Sequence, residues 1–477
     1  MRRSVFFFVI FSFQTILSQT ITLRDTTNQY DYIIITVPEF VTSCESFKQH
    51  KETVRDFRTL IVDTTQIFAE FDSSNTPQDN IRDFISYAGT FWQEPRPEYF
   101  LLLGNLSKIP NFQDILNFGG YIDTAYTDYK YSVNKFISDS TLSSFKVGRV
   151  PAGNENEIEN YFNKVATFEI DTIFTGWMNN NLVVAQHYVD TAVTLLFEEF
   201  ADRIISYYPD YFTNYYYTEN DSSPSFGNRD SIVNFLNTKG ATSLWLIGNT
   251  FNTQFGYNNI LDTGDVVLFD NYPMNFITFF SLRQFFASDT SVQGFADRLL
   301  LDNDASIAII SPVGSVFIGQ NNQLLHTVML DLFGTERKSV GEALFNVRNL
   351  FPYSYTKRMY NQWGDPSLFP KYDITVDVGD IVNEIPNKYL LFQNYPNPFN
   401  PSTTIKYQVP ALSSVTLKLY DVLGSEIATL VNEEKPAGIY EVQFNQEKNS
   451  WFPASGVIFY QLRAGNFVET KKMILLR

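Results

Sequence analysis

Tyr32-Ile33-Ile34-Ile35-Thr36-Val37 is a short apolar run rich in β-branched side chains. A run of that length without polar alternation reads as a strand covered on both faces, the kind found inside a parallel sheet. The stretches that follow alternate in type. Residues 45–57 are polar with spaced apolar positions, as on a surface helix, and Thr59-Leu60-Ile61-Val62 is a second strand. Residues 77–92 place Ile81, Phe84, Ile85 and Ala88 at three- and four-residue intervals, a helical stripe. Glu98-Tyr99-Phe100-Leu101-Leu102-Leu103 is a third strand, stopped by Gly104. Strand–helix–strand alternation of this kind predicts an α/β sheet with parallel strands.

The pattern resumes near Ile170. Asn181-Leu182-Val183-Val184-Ala185 reads as a strand, and residues 193–207 carry a helical pattern through Leu195, Leu196, Phe200 and Ile204. Residues 230–237 read as the next helix. Ser243-Leu244-Trp245-Leu246-Ile247, Phe276-Ile277-Thr278-Phe279-Phe280 and Ser306-Ile307-Ala308-Ile309-Ile310 are candidate central strands. Two adjacent α/β sub-domains are expected, residues 25–170 and 171–371, the rhythm ending at Trp363-Gly364-Asp365-Pro366. Residues 372–388 are acidic and irregular and read as a linker. Beyond them, Tyr395-Pro396-Asn397-Pro398-Phe399-Asn400-Pro401 is rigid turn chemistry. Short alternating runs follow, punctuated by Gly424, Gly438 and Gly456, and predict a small antiparallel β-sandwich over residues 389–477.

Composition narrows the function. Of 477 residues, 44 % are hydrophobic and 18 % charged, which excludes a largely disordered chain. The aromatic share of 16 % suits sheets and large cores. A formal net charge of −17 repels phosphate backbones and anionic lipid, so no nucleic-acid partner is expected. Cys44 is the one cysteine, so no intramolecular disulfide forms. Arg2 and Arg3 precede an apolar stretch that runs to Leu17, with the small Ser18 at a plausible cleavage point; residues 1–18 read as a secretory signal peptide. That stretch is too short to span a bilayer comfortably, and no later segment reaches the length of a transmembrane helix.

The tail carries a specific resemblance. Asn394-Tyr395-Pro396-Asn397-Pro398-Phe399-Asn400-Pro401, Leu419-Tyr420-Asp421-Val422-Leu423-Gly424, Ala437-Gly438-Ile439-Tyr440, Ala454-Ser455-Gly456-Val457-Ile458-Phe459-Tyr460 and the closing Thr470-Lys471-Lys472-Met473-Ile474-Leu475-Leu476-Arg477 occur in the order seen in sorting domains of the type IX secretion system. The resemblance covers residues 389–477. It implies an immunoglobulin-like sandwich, export to the cell surface or beyond, and the secretion apparatus as a partner.

The body resembles the gingipain peptidase family through landmarks in order: Gln66-Ile67-Phe68-Ala69-Glu70-Phe71 with Asn80-Ile81-Arg82-Asp83-Phe84-Ile85; Tyr99-Phe100-Leu101-Leu102-Leu103-Gly104-Asn105 with Ile109-Pro110; Asp128-Tyr129-Lys130-Tyr131 leading to Val147-Gly148-Arg149-Val150-Pro151; and Gly364-Asp365-Pro366. Asn105 departs from the family's usual Gly-Asp. The resemblance implies a caspase-like α/β body of two sub-domains, with functional loops at the C-terminal ends of the strands. A site at that edge also follows from the general behaviour of open α/β sheets.

A cysteine peptidase needs a thiolate and a nearby imidazole that activates it and later protonates the leaving amine. In the family the histidine follows a strand as Gly-His-Gly and the cysteine ends the next core strand. Here Gly248-Asn249-Thr250 follows the first strand, so the histidine position holds Asn249. The cysteine position holds Ser281, or Leu282 if the register slips by one. An amide accepts no proton near neutral pH, and a serine hydroxyl without a base is a poor nucleophile. The expectation is an exported, catalytically inactive peptidase homologue that binds peptide or protein or serves as a surface component, with Gly248, Thr250, Leu282 and Phe285 as candidate groove residues. The alternative is an active secreted endopeptidase in which His187 serves as substitute base for Ser281. His50 reads as a solvent-facing helix residue, His326 as a satisfied core residue, and Cys44 as a buried small hydrophobe. Asp262, Asp265 and Asp270 match no calcium loop, so no metal site or cofactor is assigned, although the resemblance allows a structural calcium ion.

Overall fold

The computed structural model describes residues 21–72, 76–118, 121–137, 142–170, 176–187, 191–219, 223, 225–251, 253–256, 258–270, 276–280, 293–302, 304–314, 316, 318–351, 356–372, 389–391, 394, 399, 401–422, 424–436, 438–445, 456–465 and 467–475. The expected signal peptide, nearly all of the expected linker, and Ser281, Leu282 and Phe285 lie outside the described residues. The chain divides into two compact units between Ile374 and Thr375.

In the first unit the elements run β1 (Tyr32–Thr36), α1 (Val41–Val54), β2 (Thr59–Asp63), α2 (Thr64–Glu70), α3 (Pro77–Phe91), β3 (Tyr99–Leu103), a hairpin of β4 (Phe112–Phe118) and β5 (Tyr121–Thr127), β6 (Lys146–Val150) and α4 (Glu155–Ile170). They continue with β7 (Asn180–Ala185), α5 (Thr191–Tyr207), β8 (Thr213–Thr218), α6 (Arg229–Thr238), β9 (Ser243–Ile247), a short hairpin of β10 (Gln254–Phe255) and β11 (Leu261–Asp262), and β12 (Phe276–Phe280). The last are α7 (Phe295–Leu301), β13 (Ser306–Pro312), α8 (Ile318–Phe333), α9 (Val340–Leu350), α10 (Thr356–Met359) and β14 (Tyr360–Trp363). Helix α1 starts at Val41, earlier than its sequence pattern suggests, behind a turn over Pro38–Phe40; it ends where Asp56 takes a left-handed φ of 54°.

Ten strands form one sheet in the order β2-β1-β3-β6-β14-β13-β12-β9-β7-β8. The apolar runs read from the sequence are its inner strands: β1, β3, β9, β12 and β13 are buried at every position. β14 runs antiparallel to β13 and meets β6 at the single pair Trp363–Arg149. That one pair, formally of parallel type, does not settle how the two halves are oriented; α4 does. Near the helix start, Glu157 accepts a hydrogen bond from Gln293, beyond the C-terminal end of β12. Farther along, Lys164 Nζ donates to Ser306 O at the start of β13 (2.8 Å). A helix descending from the end of β6 thus passes from the exit of β12 to the beginning of β13, so both halves point their C-terminal ends to one edge.

The Gly364-Asp365-Pro366 landmark closes this unit by a buried ionic network. Asp365 is held by Lys51 Nζ (2.5 Å), Tyr32 Oη (2.8 Å) and the amide and hydroxyl of Ser367 (both 2.9 Å). Lys51 also reaches both oxygens of Glu169 at 2.9 and 2.8 Å. His50, expected to face solvent, instead meets Glu169 Oε2 at 2.7 Å because α4 packs over that face of α1. Gly364 sits at φ +99°, and a Cβ there would lie 2.7 Å from Tyr161 Oη and 2.9 Å from Ile307 O. Gly364→Ala is expected to cost about 2–3 kcal/mol, from left-handed strain and crowding of a packed interior. Urea denaturation of the variant measures it.

In the second unit, β15 (Leu390–Leu391), β16 (Ser402–Val409) and β19 (Gly438–Asn445) form one antiparallel sheet. The other sheet comprises β17 (Ser413–Tyr420), β18 (Glu426–Lys435), β20 (Gly456–Ala464) and β21 (Phe467–Leu475), in the order β18-β17-β20-β21. Alternate residues of β16, β17, β20 and β21 turn inward, among them Ile405, Tyr407, Leu417, Leu419, Tyr460 and Met473, and share one core. That is a β-sandwich. No helix among the described residues is long and apolar enough to cross a membrane.

Candidate functional site

The centre of the sheet is fixed sideways before it reaches the edge where Asn249 stands. Trp245 of β9 lies flat on Phe279 of β12, with centroids 4.1 Å apart, and donates Nε1 to Tyr208 Oη at 2.8 Å. Ser243 Oγ is 2.6 Å from Tyr208 Oη and donates to Asn181 Oδ1 at 2.5 Å. Phe279 and Phe280 are core residues; no side of either is left to line a groove.

At the exit of β9 the backbone turns at Gly248, φ +155°, where a Cβ would stand 2.5 Å from Gln186 Cβ and 2.8 Å from Gln186 Oε1. A glycine there makes room for the Gln186 side chain, which is fully buried. Gln186 continues β7: its N–H donates to Ile247 O at 2.8 Å. Its Oε1 accepts the Asn249 backbone N–H at 2.8 Å and faces Asn249 Nδ2 at 3.4 Å. Asn249 O accepts from Gly256 N at 2.9 Å, and Thr250 pairs with Phe255 at the base of the β10–β11 hairpin. Asn249 is half-buried, while Gly248 and Thr250 are buried.

The acidic residues beyond have structural partners. Asp262 Oδ1 takes the N–H groups of Gly264 and Asp265, its Oδ2 takes Asn259 Nδ2, and Asp265 Oδ2 takes the N–H of Asp262. The Asn259 hydrogen bond leads in holding the Asp262 carboxyl below its usual range, and burial raises that of Asp265. Asp270 N donates to Asn237 Oδ1. Among the described residues no three His, Cys, Asp or Glu side chains gather as a metal site.

His187 is half-buried. Its backbone N–H donates to Glu219 Oε2 at 3.3 Å, and its buried Nδ1 has no hydrogen-bond partner among the described residues. Register separates it from β12: Phe280 pairs with Leu246, and Leu246 in turn with Val184. With β9 between them, the tips of β12 and β7 are about 10 Å apart across the sheet. His50 and Cys44 are on α1 and His326 is on α8, none on a loop leaving the central strands. Burial pushes the Cys44 thiol up to about 12, so it carries no nucleophilic thiolate at neutral pH. His326 stacks on Tyr207 at 3.8 Å, and burial lowers its imidazole.

Two features of this edge escaped the sequence reading. Gln186 is one; a lone glutamine after an apolar run gives no sign that it reaches a neighbouring strand. The other is Asp297, which caps α7 by accepting Gly294 N at 2.9 Å. Burial, against that hydrogen bond and with the Glu157 charge adding to it, pushes its carboxyl up to about 7. An open cleft of about 500 Å³ lies at the opposite edge, near the starts of β1 and β2, between Tyr30, Glu52, Asp56, Phe57 and Arg58. It is distant from Asn249, and we assign it no part in this site.

Known structures share the architecture. The complex of Porphyromonas gingivalis RgpB pro- and mature domains is 14 % identical with a TM-score of 0.52, covering 93 % of this chain and 100 % of that one. The Arg specific cysteine proteinase gingipain R is 14 % identical with a TM-score of 0.55, covering 93 % and 98 %. At such identity the likeness concerns the fold. No curated protein matches the sequence. The secretion system C-terminal sorting domain matches residues 393–476. The model of peptidase family C25 matches residues 25–371, most of the chain, and the protein therefore belongs to that family, with a type IX sorting domain as its tail.

Proposed function

We propose that this protein is a member of family C25 that no longer hydrolyses peptide bonds and instead binds peptide or protein at the tips of its central strands. The sorting domain marks it for secretion or cell-surface attachment. On our reading, a cleaved signal peptide and the type IX apparatus carry it there. The observation that supports lost catalysis is Asn249 at the exit of β9, its backbone N–H tied to Gln186 Oε1 at 2.8 Å. An amide in that place neither takes a proton from a nucleophile nor returns one to a leaving amine. His187 is a poor substitute, since β9 separates its strand from the end of β12.

The test is direct. The purified chain, incubated with a panel of fluorogenic peptides, is expected to show a rate no greater than that of an Asn249→Ala/Ser281→Ala variant. A fluorophosphonate probe is expected to leave Ser281 unlabelled. Turnover that disappears in the double variant, or labelling of Ser281 that depends on His187, would overturn the proposal and restore the active endopeptidase.

A further inference from the structure

The ten-stranded sheet ends on one side at β8, and the outer side of that strand is open. The other border strand, β2, is mostly buried, whereas β8 is exposed or half-buried as far as Tyr217. The direction of its backbone groups follows from its last residue. Thr218 turns away from β7: its N–H donates to Ser225 O and its O accepts from Gly227 N, each at 3.0 Å. Groups alternate along a strand, so Tyr215 and Tyr217 face the β7 ladder, while Asn214 and Tyr216 present their N–H and C=O outward, about 7 Å apart. Those outward groups have no hydrogen-bond partner among the described residues. Such a row is a template for another strand, and proteins usually blunt it with charge, proline or a bulge. The border strands of the tail sheet are blunted in this way, β18 by Glu426, Glu433 and Glu434 and β21 by Lys471 and Lys472. β8, Thr213-Asn214-Tyr215-Tyr216-Tyr217-Thr218, carries neither charge nor proline and pairs with β7 without a bulge. Its threonines and tyrosines are residues that favour strands.

We propose that the outer side of β8 is a docking surface for an extended, basic segment of another protein, which adds to the sheet as a further strand. The flanking charges select this occupant. Glu198 and Asp202 of α5 stand on the Tyr216 face, and neither forms an ion pair among the described residues. Burial, then the Glu198 charge and to a smaller extent that of Asp202, raises the Tyr216 hydroxyl above its ordinary value. On the opposite face Phe235 of α6 packs on Tyr215 with centroids 4.6 Å apart, and Lys239 Nζ lies 4.7 Å from the Tyr215 ring. One set of alternate side chains on a docked strand therefore meets carboxylates, and the other meets aromatic rings beside a cation. The pattern that fits is basic residues alternating with apolar ones. A second copy of this chain fits badly: two-fold pairing of β8 with itself sets Glu198 and Asp202 against their counterparts, in a chain of net charge −17. The surface runs along the side of the sheet, apart from Asn249 at the strand tips, and stands independently of the proposed function.

The probe is a fluorescein-labelled hexapeptide of alternating lysine and valine with both ends blocked, followed by fluorescence anisotropy with the full chain at low salt. A second peptide carries glutamate in place of lysine. Hydrogen exchange then locates the bound peptide, because strand addition protects one set of alternate amides and leaves the other as it was. The expected result is binding of the lysine peptide and binding of the glutamate peptide weaker by about tenfold or more. In the complex, exchange at the Asn214 and Tyr216 amides is expected to slow by about tenfold or more, with the Tyr215 and Tyr217 amides, already bonded to β7, unchanged. The variant Glu198→Gln/Asp202→Asn, which alters side chains outside the core, is expected to bind the lysine peptide about fivefold more weakly with the same pattern of protection. Binding that leaves the Asn214 and Tyr216 amides unprotected would place the peptide elsewhere and overturn the inference. Equal binding of the glutamate peptide, equal binding by the variant, or no binding of the lysine peptide would overturn it as well.

Discussion

In urea denaturation, Lys51→Met is expected to lower the unfolding free energy of the first unit by about 3–5 kcal/mol, the cost typical of breaking a buried ion pair from one side. Lys51 and Asp365 have fully buried side chains, and Glu169 is nearly so. Methionine fills similar space but leaves two carboxylates without their shared cation. The pH dependence identifies the mechanism. Burial would raise the Asp365 carboxyl, but the Lys51 charge and the hydrogen bonds from Lys51, Ser367 and Tyr32 outweigh it and hold the carboxyl below its ordinary value. A carboxyl depressed on folding contributes stability that is complete above its unfolded pKa, about 4, and is lost as pH falls through the lower folded value. Without Lys51 the sign reverses, because burial then dominates and protonation relieves the penalty. The gap between native and variant proteins is therefore expected to be widest near pH 7 and to narrow towards pH 4. Tryptophan fluorescence reports mainly on this unit, since four of the five tryptophans, Trp92, Trp177, Trp245 and Trp363, belong to it. A gap constant with pH would show that lost packing, not an uncompensated charge, accounts for the effect.

The same network shows where sequence reading succeeds and where it stops. β1, β3, β9, β12 and β13 were legible because a strand buried on both faces must be apolar at nearly every position, a local property. The tail sandwich was legible because β16, β17, β20 and β21 alternate inward and outward. Position within the sheet is different. Nothing local says that β14, last in the first unit, inserts between β6 and β13. His50 looked solvent-facing because α1 is polar; its partner Glu169 is 119 positions away on a helix whose own stripe of Ile158, Tyr161, Phe162, Val165 and Phe168 was present but unread. At the candidate site, Asn249 was found through the order of motifs. Gln186, 63 positions earlier, was not, since a hydrogen bond between strand tips leaves no periodic trace.

Arg149 offers the sharpest test of how two such motifs depend on each other. It stands in the Val147-Gly148-Arg149-Val150-Pro151 landmark and looks like an isolated charge within a strand. In the fold it is buried and engages the other landmark, Asp128-Tyr129-Lys130-Tyr131. Nε and Nη2 donate to the two oxygens of Asp128 at 2.7 Å each, and Nη1 donates to Gly104 O and Ile109 O at 3.1 and 2.7 Å. A planar fork is required, since one head group must serve a carboxylate side-on and two carbonyls beyond it. Arg149→Met is expected to cost about 3–5 kcal/mol, leaving Asp128 as an uncompensated buried charge beside two unmet carbonyls. Arg149→Lys is expected to recover only part of that, because an ammonium cannot reproduce the bidentate pair. Removing the carboxylate as well, in Asp128→Leu/Arg149→Met, is expected to be less damaging than the sum of the single changes, with a coupling of about 2–3 kcal/mol in a urea-denaturation cycle. Additive losses would mean that the two landmarks are stabilised separately and that the ion pair does not join them. Strong coupling would tie the β6 strand to the segment after β5 through one guanidinium, at the same edge where Asn249 and Gln186 stand.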